Sequence, residues 1–308
     1  MAKMASIDEV KNPTFGKKLI AFAFVFLAYA VALGAAIGIA YALPGLHAYV
    51  LWLTLIADVI ATIVVFIFSI IFNNISFYDP YWSLQPIAIA VYWFVLGFNT
   101  ALLARQIIIL SVVSFYGMRL TINWMRGWKG RKHEDWRYTK FRTEKPKLFW
   151  FIAFTGLEMM PTLIVFLSCI TMYPGLVLSS TSLNVFDGIA IAITVGATLI
   201  EFIADEQLKI FNKMNDDPSR VMDLGLWSYS RHPNYFGEVS FWFGLFFFAL
   251  ASNIWLWSWT AVGTVAMIIL FIFISIPLME NQQLKKRPSY ADYKKRVSMF
   301  IPWFPKKE

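Results

Sequence analysis

Charge, cysteine and histidine are scarce in this sequence. Only 15% of its 308 residues are charged, against about a quarter in a soluble chain. The single cysteine, Cys169, sits inside an apolar run, so no intrachain disulfide and no cysteine metal site is expected. Three histidines, His47, His133 and His232, lie too far apart in sequence for a histidine cluster, and no metal site is expected. There is no glycine-rich phosphate loop after a strand and no strand-rich region. No polar stretch between apolar runs exceeds about 30 residues, so no independent soluble domain is expected.

What fills the chain instead is apolar. Hydrophobic residues make up 58% and aromatics 18%, with 29 Phe and 13 Trp. One soluble core of this length cannot hide that much apolar surface. The composition reads as an all-α integral membrane protein and excludes a soluble enzyme, a secreted disulfide scaffold and a disordered chain. A spanning helix needs about 20 mostly apolar residues. Candidate spans are Leu19–Leu43, Tyr49–Phe72, Leu84–Phe98, Leu102–Leu120, Leu148–Met172, Val185–Ile210, Tyr235–Leu250 and Ile254–Leu278. The third and seventh are short, so a bundle of seven or eight transmembrane helices is expected. The polar first 18 residues and the length of the first apolar run do not read as a cleavable signal.

Basic residues near spans stay on the cytoplasmic side. Of 27 Lys and Arg, four precede the first span, ten lie from Arg119 to Lys147, four from Lys209 to Arg231 and eight from Lys285 to Lys307. The intervening loops at 44–48, 173–184 and 251–253 have none. This pattern predicts both termini in the cytoplasm, with the sequon Asn74-Ile-Ser76 on the same side. The net charge of +8 then marks a membrane surface, with membrane lipids as partners and no nucleic acid. Gly34 and Gly38 form a GxxxG that predicts close helix packing. The Lys306-Lys307-Glu308 end is one position out of register for a dilysine retrieval signal.

Charge inside a span is costly and marks function or pairing. Asp58 and Glu158 fall mid-span, where a functional role and helix–helix hydrogen bonding are equally open. Arg105 is shallow and reads as snorkelling to the interface. Glu201, Asp205, Lys209 and Asn212 recur at three- and four-residue steps, making one polar face that leaves the bilayer. The densest constellation is Gly225-Leu-Trp-Ser-Tyr-Ser-Arg-His-Pro-Asn-Tyr-Phe-Gly-Glu238. Arg231 offers a planar fork for phosphate, and His232 donates toward the same anion. Pro233 halts the preceding backbone, so Tyr229, Asn234, Tyr235 and Glu238 gather at a bend. Such a set suits a phosphorylated or zwitterionic cofactor at the membrane surface.

That motif resembles the cofactor motif of the steroid 5-alpha reductase superfamily, and most closely its branch of multi-pass proteins with a reductase-like C-terminal domain. Glu134-Asp-Trp-Arg-Tyr138, Glu201…Asp205-Glu-Gln-Leu208 and Tyr290…Tyr293…Arg296…Phe300-Ile-Pro-Trp303 fit the same branch in order. The resemblance covers about residues 75–305. It implies N-terminal transmembrane helices at 1–72 and a reductase-like domain at 73–308, with the cofactor site inside the cytoplasmic half. It implies NADPH as cofactor and reduction of a carbon–carbon double bond conjugated to a carbonyl. Asn234, Glu238, Asp205 and Arg296 take cofactor positions. Tyr116 of Tyr116-Gly-Met-Arg119 takes the catalytic tyrosine's, and Arg119 that of a cofactor-site arginine. Asp79 stands where the steroid enzymes carry a glutamate that pairs with the tyrosine, and Glu201 where they carry an amide.

The reading is an NADPH-dependent reductase of a lipophilic enone, whether steroid, sterol, polyprenol or fatty. Its place is the endoplasmic reticulum if eukaryotic and the inner membrane if bacterial. Two alternatives stay open. The isoprenylcysteine and phospholipid methyltransferases, which use S-adenosylmethionine, share an Arg-His-Pro-x-Tyr, though they continue to a Glu-Glu pair where this chain has Glu280-Asn281. A non-catalytic lipid-binding protein would keep the bundle alone.

Overall fold

A computed structural model describes residues 15–306. Lys3 and Lys11 of the N-terminal basic segment, and Lys307-Glu308 of the retrieval-like end, lie outside the described residues. The chain runs through α1 (Phe15–Ala42), α2 (Val50–Ile71), α3 (Tyr81–Leu96), α4 (Leu103–Gly127) and α5 (Trp136–Glu144). It continues through α6 (Phe149–Met172), α7 (Val185–Met214), α8 (Pro233–Ser252), α9 (Ile254–Lys286) and α10 (Tyr290–Arg296). All eight apolar runs are helical. Among the described residues seven helices are long and apolar enough to cross a membrane; α3, with 16 residues, is the short one. The described residues contain no strand, only a single parallel bridge between Ser230 and Ser298. The protein is an all-α, multi-pass membrane bundle.

Two of the long helices loosen locally into π-helix, at Ala153–Met159 in α6 and Leu270–Ser275 in α9. Pro161 and Pro277 follow within two residues of each segment. A proline has no N–H for the preceding turn and its ring crowds the carbonyl there, and widening the turn relieves both.

The chain forms two compact units. The first holds residues 15–89 together with Gly117–Phe166, and the second holds Ala90–Tyr116 together with residues 167–306.

In the first unit α1 buries Ala21, Val25, Ala28 and Ala32, a helical stripe whose small side chains let α2 and the 75–81 segment come close. Gly34 and Gly38 are not part of that contact: nothing lies within 4 Å of a Cβ placed on either. Among the described residues the expected packing role of this GxxxG is therefore not met, because the approach runs along the alanine stripe instead. The intramembrane acids serve helix–helix hydrogen bonding. Asp58 Oδ1 accepts from the Tyr81 hydroxyl at 2.8 Å and Oδ2 from Gln85 Nε2 at 2.5 Å. Glu158 Oε1 accepts from Ser69 at 2.9 Å. Asn74 is buried, and its amide nitrogen donates to the carbonyls of Arg131 and His133 at 2.7 and 3.0 Å. The nitrogen of the sequon asparagine is thus engaged within the fold.

In the second unit α7 and α8 are the most extensively packed pair. Gly237 and Gly244, seven residues apart on α8, face the small α7 residues Thr194 and Ala197. A Cβ at Gly237 would lie 2.8 Å from both the Ala197 carbonyl and Glu201 Cβ. Gly237→Ala is therefore expected to force the helices apart and cost about 1–3 kcal/mol. A thermal midpoint equal to the parent's would show that α7 yields freely. Arg105 does not snorkel. It is wholly buried and forms a bidentate pair with Asp187 at 2.7 and 2.8 Å, with the Thr181 and Ser182 carbonyls taking its remaining N–H groups. Asp187 also closes the capping box of α7 with Asn184. The arginine thus ties the start of α7 to α4, a pairing 82 residues apart that local sequence does not reveal.

Candidate active site

The polar face of α7 appears as expected, graded from a buried Glu201 through a half-buried Asp205 to an exposed Lys209 and Asn212. Beside it the 225–238 segment is fixed by α7. Gly225 has a left-handed φ of 61°, and the Gln207 side chain occupies the space where a Cβ would stand. Gln207 Oε1 accepts from the Leu226 N–H at 2.9 Å, and the Trp227 indole donates to the Ala204 carbonyl at 3.0 Å. Pro233 then opens α8 at its first position, where its missing N–H costs nothing.

From that first turn Asn234 Nδ2 donates to Asp205 Oδ1 at 3.3 Å. Tyr235 stacks on His232 with ring centroids 5.3 Å apart. One turn on, Glu238 is 5% exposed, and its Oε1 accepts from the Tyr116 hydroxyl at 2.5 Å and from the Trp242 indole at 2.9 Å. Tyr116 is wholly buried, and its ring lies flat on Phe241 with centroids 3.9 Å apart. A carboxylate that receives two donors among aromatic rings is oriented tightly, and so is the phenol it holds.

The structure gives Tyr116 the Glu238 carboxylate as its partner, where the resemblance implies Asp79. Asp79 belongs to the first unit, where its Oδ1 accepts from the Tyr138 hydroxyl at 2.6 Å. Tyr138 was visible only as part of a loop motif, and nothing in its spacing points to Asp79. Burial pushes the Asp79 carboxyl up to about 6, against the opposing pull of the Tyr138 hydroxyl and Arg137. Its folded value lies above the unfolded one, so the fold favours the protonated acid. The stabilisation is complete below about pH 4 and is lost as pH rises through about 6. A shift of this size corresponds to roughly 3 kcal/mol at most. Asp79→Asn should accordingly hold its thermal midpoint between about pH 4 and pH 7 while the parent declines. Parallel curves would mean that Asp79 ionises without penalty. Arg119, one turn beyond Tyr116 on α4, also lies in the first unit and is buried.

Arg231 binds an anion within the chain, and His232 lies beside it. Arg231 Nε binds Glu280 Oε1 at 2.7 Å, and His232 Nε2 lies 3.4 Å from the same oxygen. Lys294 Nζ takes Glu280 Oε2 at 2.7 Å. Arg231 Nη1 donates to the carbonyls of Lys294 and Val297 at 2.9 and 2.7 Å. Burial holds His232 below the ordinary histidine value, with Glu280 opposing. The phosphate-fork expectation for Arg231 gives way to a clasp that fixes the C-terminal tail. The tail continues it: Ser298 accepts from the Arg231 N–H, Phe300 from the Ser230 hydroxyl and Tyr229 from the Trp303 N–H. Tyr293 donates to the Trp227 carbonyl at 2.5 Å. Sequence reading missed Glu280 as a partner, although its place in the Glu280-Asn281 pair was noted. Arg296 is 40% exposed and reaches Asp223 at 3.8 Å, and Tyr229 is likewise 40% exposed against Phe304.

Residues 65–297 match the family described as "Protein of unknown function (DUF1295)". An uncharacterized protein of Schizosaccharomyces pombe is 24% identical over 252 residues, covering 75% of this chain and 73% of its own length. No solved structure matches the chain significantly.

Proposed function

This chain belongs to the DUF1295 family, and from its buried Tyr116–Glu238 pair we propose that it is a membrane-embedded, NADPH-dependent reductase of a conjugated carbon–carbon double bond in a lipophilic substrate. The 2.5 Å contact between phenol and carboxylate carries the reading. The resemblance of the 225–238 motif and the α7 polar face to the steroid 5-alpha reductase superfamily supports the choice of cofactor.

The donor set suits the polar groups of such a cofactor. Glu238 keeps Oε2 outside both of its bonds, a carboxylate acceptor for amide or hydroxyl hydrogens. The Asn234–Asp205 contact, at 3.3 Å, is long enough to be exchanged for ligand hydroxyls. Glu201 and Tyr235 border it. With Arg231 engaged by Glu280, Arg296 and Lys209 are the cations we assign to the cofactor's phosphates in this unit. Arg119 and Asp79 stay in the proposal through the resemblance alone.

Bound NADPH would supply the hydride to the β-carbon. The protein's part is at the carbonyl oxygen. The Tyr116 phenol has one hydrogen and gives it to Glu238 in the resting site. A substrate carbonyl competes for that hydrogen, and gains most as negative charge develops on its oxygen. Trp242 still donates to Glu238, whose carboxylate would also accept from the amide or hydroxyl hydrogens of a bound cofactor. Phe241 and Trp242 keep water from the phenol.

The test is a thermal shift of the purified protein with each nucleotide. NADPH at about 100 times its Kd should stabilise by about 2.7 kcal/mol. A shift with S-adenosylmethionine and none with NADPH would replace the reductase by a methyltransferase. No shift with either would leave a non-catalytic lipid-binding protein.

A further inference from the structure

Within the first unit the turn after α2, the segment before α5 and α5 itself border an open cleft of about 510 Å³. None of its lining residues belongs to the site above. Four are basic: Arg131, Lys132, His133 and Arg142.

The one acid in the lining, Glu134, is already spent. Its Oε1 accepts from the Ile75 N–H and Arg142 Nη2, and its Oε2 from Arg142 Nε. Arg142 and Glu134 therefore cancel. No carboxylate is paired with Arg131 or Lys132 among the described residues, so the cleft keeps two uncompensated cations. The Arg131 guanidinium lies over the rings of Phe24 and Phe72, 4.9 and 5.6 Å from their centroids. The backbone of this wall is held by the Asn74 amide through the carbonyls of Arg131 and His133. Its other wall carries Asn73, a non-glycine residue with a left-handed φ of 49°, whose side-chain oxygen accepts from Arg142. The buried Nδ1 of His133 has no hydrogen-bond partner among the described residues. The cleft is thus a braced cationic cradle with a spare polar nitrogen.

Its apolar border decides the class of ligand. Phe72 is the C-cap of α2, and the turn before it exposes Ile67, Ile70 and Ile71. On a spanning helix those side chains meet acyl chains. We propose that the cleft binds the phosphate headgroup of an anionic membrane phospholipid. Arg131 and Lys132 contact the phosphate, and the acyl chains descend along Ile67 and Ile71. The site is independent of the reductase reading.

The experiment uses the purified full-length protein in phosphatidylcholine micelles doped with phosphatidylglycerol, with retained lipid counted by native mass spectrometry. Lys132 makes no bond in the structure, so Lys132→Gln leaves the fold intact and should already lower phosphatidylglycerol retention. Arg131→Gln combined with Lys132→Gln should lower it about tenfold or more. Lys285→Gln with Lys286→Gln removes the same charge from the second unit and should change it less than about twofold. Equal loss in the two double variants would reduce the effect to general surface charge and overturn the site. Displacement of the lipid by glycerol phosphate at equal concentration would overturn the lipid assignment in favour of a free phosphate. Unchanged retention in Lys132→Gln and in the Arg131 double variant, with parental thermal midpoints, would remove the site altogether.

Discussion

Tyr116→Phe is expected to bind NADPH as the parent does and to lose about 10²–10³ in single-turnover reduction of an enone. The ring that stacks on Phe241 is kept, so the packing around α8 survives. What is lost is one hydroxyl, and with it the group that meets the oxyanion as hydride adds. That interaction exists only in the transition state, so it appears in the rate and not in ground-state affinity. Glu238 keeps the Trp242 indole as a donor, which limits the cost of leaving it without the phenol. Glu238→Gln should slow the reaction as well, and should also weaken NADPH binding, because its carboxylate is assigned to the cofactor. A Tyr116→Phe protein that oxidises NADPH at the parent's single-turnover rate would remove the phenol from the mechanism.

Arg231→Ala should produce the largest loss of stability. Arg231 is 8% and Glu280 5% exposed, and removing one member of a buried pair costs about 3–5 kcal/mol. Lys294 and His232 still face Glu280, which places the expectation near the lower end. The loss should appear as a lowered thermal midpoint and as protease cleavage within 287–306, since Arg231 also holds the carbonyls of Lys294 and Val297. Arg126→Ala, at the exposed end of α4, should stay within about 0.5 kcal/mol of the parent. In Arg231→Ala combined with Glu280→Ala much of the lost stability should be recovered, because the stranded carboxylate is gone. A parental midpoint in Arg231→Ala, together with a tenfold or greater loss of NADPH affinity, would make Arg231 a phosphate ligand after all.

The membrane-spanning architecture was legible because it depends on local quantities. Runs of about 20 apolar residues bury or face lipid wherever they fall, and each of the eight runs proved helical. The polar face of Glu201, Asp205 and Lys209 was equally legible, since helical period alone puts those side chains on one side. The convergence at Arg231-His232-Pro233 followed from proline's effect on its own turn. Which groups meet across the fold was another matter. Tyr116 finds Glu238 across 122 residues, Arg231 finds Glu280 across 49 and Arg105 finds Asp187 across 82. Periodicity tells which face a side chain occupies, but not which helix lies opposite it. That is decided by close approach, as where Gly237 and Gly244 bring α8 against α7, and by the need to neutralise a cation once it has been buried. The same need turned Arg105 from an interfacial residue into a buried clasp, and gave Arg231 an anion from its own chain.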